Sequence, residues 1–338
     1  MPGPLLDTLK GNRQEVPPVW LMRQAGRYLP EYRELRAEKG GFLELVYDSE
    51  AAAEITVQPI RRFGFDGAIL FSDILIVPHA MGQGLEFLAG EGPKLSPTLL
   101  ETDLSNFTAN PARFDPIYET LRLTRKLISD DVTLLGFAGS PWTVATYMIA
   151  GEGSKDQGPA RLLAYKDPAR MQAILDAIVE VTVGYLRGQI NAGAEAVQLF
   201  DSWAGSLAPD EFERWVIAPN AKIAAALKQS HPNTPVIGFP KGVGSKLAAY
   251  AREVGVDAMG LDETLDPAAV HASLPSGMPV QGNLDPLLVE AGGPALPKRV
   301  KAIIDAFEDR PHVFNLGHGI GQFTPIEHVE QLLSSLRG

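Results

Sequence analysis

The 338-residue chain contains no cysteine. Disulfides, thiolate metal centres and a cysteine nucleophile are therefore excluded, and the absence fits a reducing compartment. Positive charge is also scarce. Thirty Lys and Arg stand against 41 Asp and Glu, a formal net charge of -11. A surface of that sign disfavours nucleic acid and anionic membranes as partners, and any anionic substrate must be drawn in by a local basic patch. The chain begins MPGPLLDTLKGNR, with no basic start followed by an apolar run, so no signal peptide is expected. No membrane span is expected either. The longest uncharged stretch, Val132 to Gly151, is broken by Gly139-Ser140-Pro141, which suits a strand, a turn and a helix start. No Gly-x-Gly-x-x-Gly turn follows the first strand candidate, which argues against an open dinucleotide-binding sheet.

What is present is ordinary globular composition, 45% hydrophobic and 21% charged, on a chain long enough for a large core. Apolar runs bounded by turn residues predict strands at Pro18–Met22, Asp66–Ser72, Val132–Ala138, Ala194–Phe200, Pro235–Phe239, Val256–Leu261, Pro279–Gly282 and His312–Leu316. Between them, apolar spacings of three and four predict helices such as Pro168–Asn191, Pro209–Ser230 and Lys298–Glu308. Helix starts are marked by a capping residue before proline: Asp115-Pro116, Ser140-Pro141, Asp167-Pro168, Asp266-Pro267, Asp285-Pro286 and Thr324-Pro325. Such residues can cap the orphan amides, and proline sits easily in a first turn; Thr324 with Glu327 also spells a capping box. Eight strand–helix repeats predict an α/β fold, a single-domain (β/α)8 barrel over residues 1–338. Glycine and proline clusters at Met81–Pro97 and Gly292–Pro297 read as loops within it.

Barrel enzymes carry their chemistry at the C-terminal ends of the strands. Arg23, Gln24 and Arg27 follow the first predicted strand, and Asp73 follows the second. Gly139-Ser140-Pro141 follows the third, opening a helix that carries Tyr147, and Asp201 and Ser202 follow the fourth. The last strand runs into Gly317-His318-Gly319. Arg33, Arg36 and Lys39 are interleaved with Glu31, Glu34 and Glu38 and read as a solvated helix face. Arg23 and Arg27 have no acid between them. Two forked guanidiniums suit bidentate capture of carboxylates, although structural ion pairs also use arginine. Asp73 lies between apolar runs, where a carboxylate is costly unless paired or used; a partner for a core arginine or a cap on the next loop is the plainer role. Ser140 reads first as a helix cap, Tyr147 as a half-buried ring, and His318 as a lone histidine between glycines. No arrangement of metal ligands is visible in the set.

The run MRQAGRYLPEYRELR (Met22–Arg36) resembles the N-terminal signature of the uroporphyrinogen decarboxylase family, and GFAGSPWTVATYMIAG (Gly136–Gly151) resembles its second signature. FSDILIVPHAMG (Phe71–Gly82), QLFDSWAG (Gln198–Gly205) and NLGHGI (Asn315–Ile320) fall where that family has its other site segments. The resemblance covers nearly the whole chain. It implies a cytoplasmic, homodimeric barrel enzyme that needs no cofactor or metal and converts the four acetate side chains of uroporphyrinogen III to methyls, giving coproporphyrinogen III and carbon dioxide. It further implies that Arg23, Gln24, Arg27, Asp73, Tyr147, Ser202 and His318 contact substrate, with Asp73, Arg23 and Tyr147 catalytic. One departure is visible: family members often place a proline soon after His-Gly-Ile, whereas here Gly321-Gln322-Phe323-Thr324 intervenes before Pro325. Zinc-dependent methyltransferases share this type of fold, but their metal is held largely by cysteine thiolates, which this chain lacks. A barrel that binds porphyrinogens without turning them over is the non-enzymatic alternative.

Overall fold

The computed structural model describes residues 3–88 and 92–338. Its strands are β1 (Gly67–Ile69), β2 (Gly84–Leu88), β3 (Gly92–Ser96), β4 (Thr133–Gly139), β5 (Ala196–Asp201), β6 (Val236–Pro240), β7 (Ala258–Gly260), β8 (Val280–Leu284) and β9 (His312–Leu316). Seven of these form one curled parallel sheet in the order β1-β4-β5-β6-β7-β8-β9. Every residue of β4, β6, β8 and β9 is buried, as expected of parallel strands covered on both faces.

The first predicted strand, Pro18–Met22, is not a strand: only Val19 bridges Phe314. It nevertheless fills the eighth place in the ring. Phe314 N donates to Pro18 O at 2.8 Å on one side, and Asp66 N donates to Val19 O at 2.8 Å on the other. Prolines at 17 and 18 remove ladder donors from this segment. Side chains then take the amides that a ladder would have taken. Val19 N donates to Asp66 Oδ2 (2.8 Å), Leu21 N to Gln24 Oε1 (3.0 Å) and Met22 N to Asn315 Oδ1 (2.9 Å). Inside the ring, Trp20 Nε1 donates to Gln281 Oε1 and Gln281 Nε2 to Gln198 Oε1, each at 3.0 Å and fully buried. That chain crosses the lumen from the closing segment through β8 to β5.

The helix Pro168–Asn191 has the predicted bounds, and Asp167 accepts a hydrogen bond from Arg170 N. Asp266 and Asp285 cap their helices in the same way. Three other predicted caps do not form. Asp115 is the first helical residue of Asp115–Leu127. Ser140 occupies the cap position of Pro141–Ala150, but its buried hydroxyl has no partner. The last helix, Ile326–Arg337, starts beyond Thr324, so the capping box is absent. Pro209–Ser230 is helical throughout, with a π turn at Glu213–Ile217. The third predicted helix spans Ala295–Ala306, so its first residues come from the Gly292–Pro297 cluster. Met81–Pro97, expected as loop, holds the antiparallel pair β2-β3, in which Leu85 opposes Leu95 and both are buried. The apolar contact with the barrel outweighs the local turn-forming composition.

β1 ends at Ile69, where the chain turns away after the Leu70 N to Leu135 O bond. The next β4 residue facing that side, Phe137, pairs with β5 but has no strand neighbour on the β1 side. Gln189 replaces it from the helix outside, accepting from Phe137 N (2.9 Å) and donating to Phe137 O (2.8 Å). Gln189→Leu would strand two buried backbone groups, at about 1–3 kcal/mol each. The expected outcome is a loss of about 2–6 kcal/mol in urea unfolding; an unchanged midpoint would show that water or the chain repairs the gap.

Candidate active site

The segment that closes the ring also delivers Arg23. Met22 O accepts a hydrogen bond from Ile320 N at 2.9 Å, which ties the end of the closing segment to the loop after β9. Arg23 itself takes φ 61°, a left-handed conformation that costs a residue with a side chain about 1–2 kcal/mol. Its side chain runs so close to Gly319 that a Cβ there would lie 2.3 Å from Arg23 Cδ. The exposed guanidinium forms no hydrogen bond or ion pair among the described residues. Strain of this kind persists where the surrounding structure imposes it, and it clusters at functional sites.

Asp73 lies four residues beyond β1. Its Oδ1 accepts from Leu75 N at 2.8 Å, so the plainer role of a loop cap is real. That bond uses only one carboxylate oxygen; Oδ2 has no partner within the described chain. Burial pushes the Asp73 carboxyl up to about 6, against smaller opposing effects of the Leu75 amide and the Arg23 charge. Surface exposure makes Asp73 only half-buried, yet protein surrounds it closely enough for desolvation to dominate. No salt bridge joins it to Arg23 among the described residues. A carboxylate held costly and half free is poised to accept hydrogen bonds from a ligand.

Tyr147, on the helix after β4, faces the same space. Burial and then the Asp73 charge push its phenol up, while a Trp203 hydrogen bond and Arg23 pull it down; the Tyr147 and Trp203 rings are 6.5 Å apart. Burial, followed by Lys241 and Arg23, lowers His318 to about 4, with Asp262 opposing. His318 is therefore a neutral imidazole near pH 7. Arg23, Asp73, Tyr147 and His318 thus converge at the C-terminal mouth of the barrel, and Ser202 follows β5 at the same end, its hydroxyl without a hydrogen bond among the described residues. Arg27 is exposed and bears on Tyr32, at one side of this group.

Gln24 is placed in the wall. It is fully buried, and besides Leu21 N it binds Gly67 O at 2.9 Å, so both ends of its amide are committed to backbone. Asp201 is equally committed. It accepts from Thr143 Oγ1 (2.5 Å) and Asn220 Nδ2 (3.3 Å), and burial raises it to about 6. Lys241 after β6 and Glu263 after β7 also reach the mouth, 3.5 Å apart. The same strand-end reading would have found both, but neither stands in a recognisable motif. A separate cleft of about 640 Å³, lined by Leu9, Pro235, Asp257 and Pro279, lies at the N-terminal ends of β6 to β8, the face where barrels carry stability. No three His, Asp or Glu side chains among the described residues converge as metal ligands would, and no helix among them is long and apolar enough to cross a membrane.

The model of the Uroporphyrinogen decarboxylase (URO-D) family matches residues 3–338. A uroporphyrinogen decarboxylase from Novosphingobium aromaticivorans is 69% identical over 338 residues, covering 100% of this chain and 99% of the relative. One from Mesorhizobium japonicum is 50% identical over 339 residues, covering 98% and 97%. Among solved structures, a methyltransferase from Methanosarcina mazei superposes with a TM-score of 0.82 at 20% identity, covering 98% of this chain and 97% of that one; at that identity the likeness concerns the fold. With a family model matched from residue 3 to the last residue, the chain belongs to the uroporphyrinogen decarboxylase family.

Proposed function

We infer that this site carries out the reaction of its family, decarboxylating the acetate side chains of uroporphyrinogen to methyls in porphyrin synthesis. The observation that carries the reading is an uncommitted, desolvated Asp73 carboxylate beside a free, strained Arg23. Loss of carbon dioxide from an acetate leaves an electron pair that needs a sink, usually a cofactor. A pyrrole protonated on a ring carbon is such a sink. The carbon–carbon bond breaks, its electrons neutralise the ring cation, and a proton then converts the exocyclic carbon to methyl as the ring carbon gives one up. The net change is one carboxylate and one proton in, one carbon dioxide and one methyl out.

Asp73 Oδ2 accepts the pyrrole N–H groups and stabilises the ring cation, a preorganised electrostatic role. Arg23 and Arg27 hold substrate carboxylates, Tyr147 and Ser202 orient them, and neutral His318 contributes a hydrogen bond without charge. A guanidinium is a poor general acid, so Arg23 positions a proton more than it donates one. Gln24 acts through Arg23, fixing the turn on which that residue stands. Homodimeric assembly and a cytoplasmic location belong to this proposal on the family likeness alone.

Anaerobic incubation with uroporphyrinogen III and a strong chelator, followed by chromatography of the oxidised products, should show stepwise loss of carboxylates to the four-carboxylate product. Binding without conversion by folded protein would favour a non-catalytic barrel. Asp73→Asn should lower kcat by about 100-fold or more. In the wild type, kcat/KM should fall as pH drops through about 6, where Asp73 takes up its proton. The stability effect has the opposite sign. With its native pKa above the unfolded value of about 3.9, ionised Asp73 weakens the fold as pH rises from about 4 to about 6. Asp73→Asn should therefore unfold at an equal or higher urea midpoint at pH 8, and a large drop there would make Asp73 a structural group. Arg23→Gly should relieve the left-handed strain and keep or raise the midpoint, while kcat/KM falls by about 100-fold; retained activity would remove Arg23 from the site.

A further inference from the structure

Lys241 and Glu263 stand at the mouth of the barrel, and the roles assigned above use neither. Lys241 directly follows β6, and its backbone is fixed by donation from its N to Asp201 O at 3.0 Å. Its Nζ lies 3.5 Å from Glu263 Oε1, well beyond the roughly 2.7–2.9 Å of a firm charge-assisted bond. The two side chains keep 27% and 23% of their exposure, and Glu263 Oε2 is buried with no partner. This is a loose pair with unmet bonding capacity on the acid.

The pair is also redundant as a brace. Asp262 already ties these two loops together, accepting from Gly242 N at 2.8 Å and from Thr264 N at 2.9 Å. Its placement relative to His318 is more telling. A Cβ on Gly317 would lie 2.1 Å from Glu263 N, and one on Gly319 would lie 2.3 Å from Arg23 Cδ. The tripeptide Gly317-His318-Gly319 is thus wedged between Arg23 on one flank and Glu263, with Lys241, on the other. Both Lys241 and Arg23 lie close enough to act on the His318 imidazole.

We propose that Lys241 is a second carboxylate-capturing group of this site, holding a substrate carboxylate on the flank of His318 opposite Arg23, with Glu263 as the internal partner that the substrate displaces. The inference rests on the decarboxylase reading. A polycarboxylate ring is broader than one guanidinium can grip, and on a protein of net charge -11 each local cation matters for capture. In the empty enzyme Glu263 neutralises Lys241; on binding, a substrate carboxylate makes the shorter bond that Glu263 does not.

Steady-state kinetics on uroporphyrinogen test this through opposite signs. Lys241→Gln should raise KM by about tenfold while kcat stays within about threefold, the pattern of lost uniform binding. Lys241→Arg should restore KM. Glu263→Gln, which removes the competing acid, should lower KM. A purely structural pair would instead lose stability in either variant without this split. An unchanged KM in Lys241→Gln, or a Glu263→Gln variant whose KM rises as much, overturns the proposal. If Lys241→Gln does not fold, the sign of the Glu263→Gln effect decides alone, a KM equal to or above wild type being the overturning result. Wild-type protein that fails to turn over uroporphyrinogen rejects the decarboxylase reading itself; active wild type with unresponsive variants rejects only the role of Lys241.

Discussion

Closure of the ring by residues 18–22 is the constraint on which the rest depends. Parallel sheets tolerate no unpaired edge inside a protein, and here the edges of β1 and β9 are joined by a segment whose amides are taken mostly by side chains and not by a strand ladder. Asp66, Gln24 and Asn315 complete the joint from their side chains. Because Asn315 lies on β9 and Gln24 directly follows Arg23, the bonds that close the barrel also set the position of the guanidinium. The stability of the fold and the geometry of the mouth meet in one stretch of chain, and the left-handed turn at Arg23 is held by the bonds on either side of it.

The polar residues of the mouth divide by whether their bonds are already made. Gln24, Asp201 and Asp262 are fully buried and bonded within the protein. The Arg23 guanidinium, one oxygen of Asp73 and the hydroxyl of Ser202 have no hydrogen bond among the described residues. Both Asp73 and Asp201 are raised to about 6 by burial, so a displaced pKa alone does not separate them; committed and uncommitted oxygens do. Site residues left in this state weaken a fold slightly, the usual relation between stability and function.

Much of this was legible in the sequence. Strand–helix alternation located all seven strands of the parallel sheet, and the Asp-Pro starts at 167, 266 and 285 cap as their chemistry predicts. The misses have physical causes. Apolar content at Pro18–Met22 suggested a strand, but Pro18 has no N–H and the side chains of Asp66, Gln24 and Asn315 take the amides of Val19, Leu21 and Met22. At Met81–Pro97 tertiary contact overrode turn composition and made a hairpin. Ser140 and Thr324 precede proline like caps, yet both hydroxyls are buried without a partner, and the helix after Thr324 begins only at Ile326. Gln189 and Lys241 draw their meaning from partners far away in sequence, which periodicity does not report. For the site, strand ends and motif likeness pointed to the C-terminal mouth of the barrel; only the hydrogen bonds show that the Gln24 amide is committed to the wall while the Arg23 guanidinium is bonded to none of the described residues.

The buried chain Trp20–Gln281–Gln198 across the lumen has a consequence for traffic. The barrel is plugged along its axis, so nothing passes through it, and one doorway serves substrate, departing gas and finished macrocycle alike. A substrate with several acetate side chains must then present each of them in turn at that doorway. The ring has to be reoriented between rounds, and escape of partly processed intermediates competes with reorientation at every step.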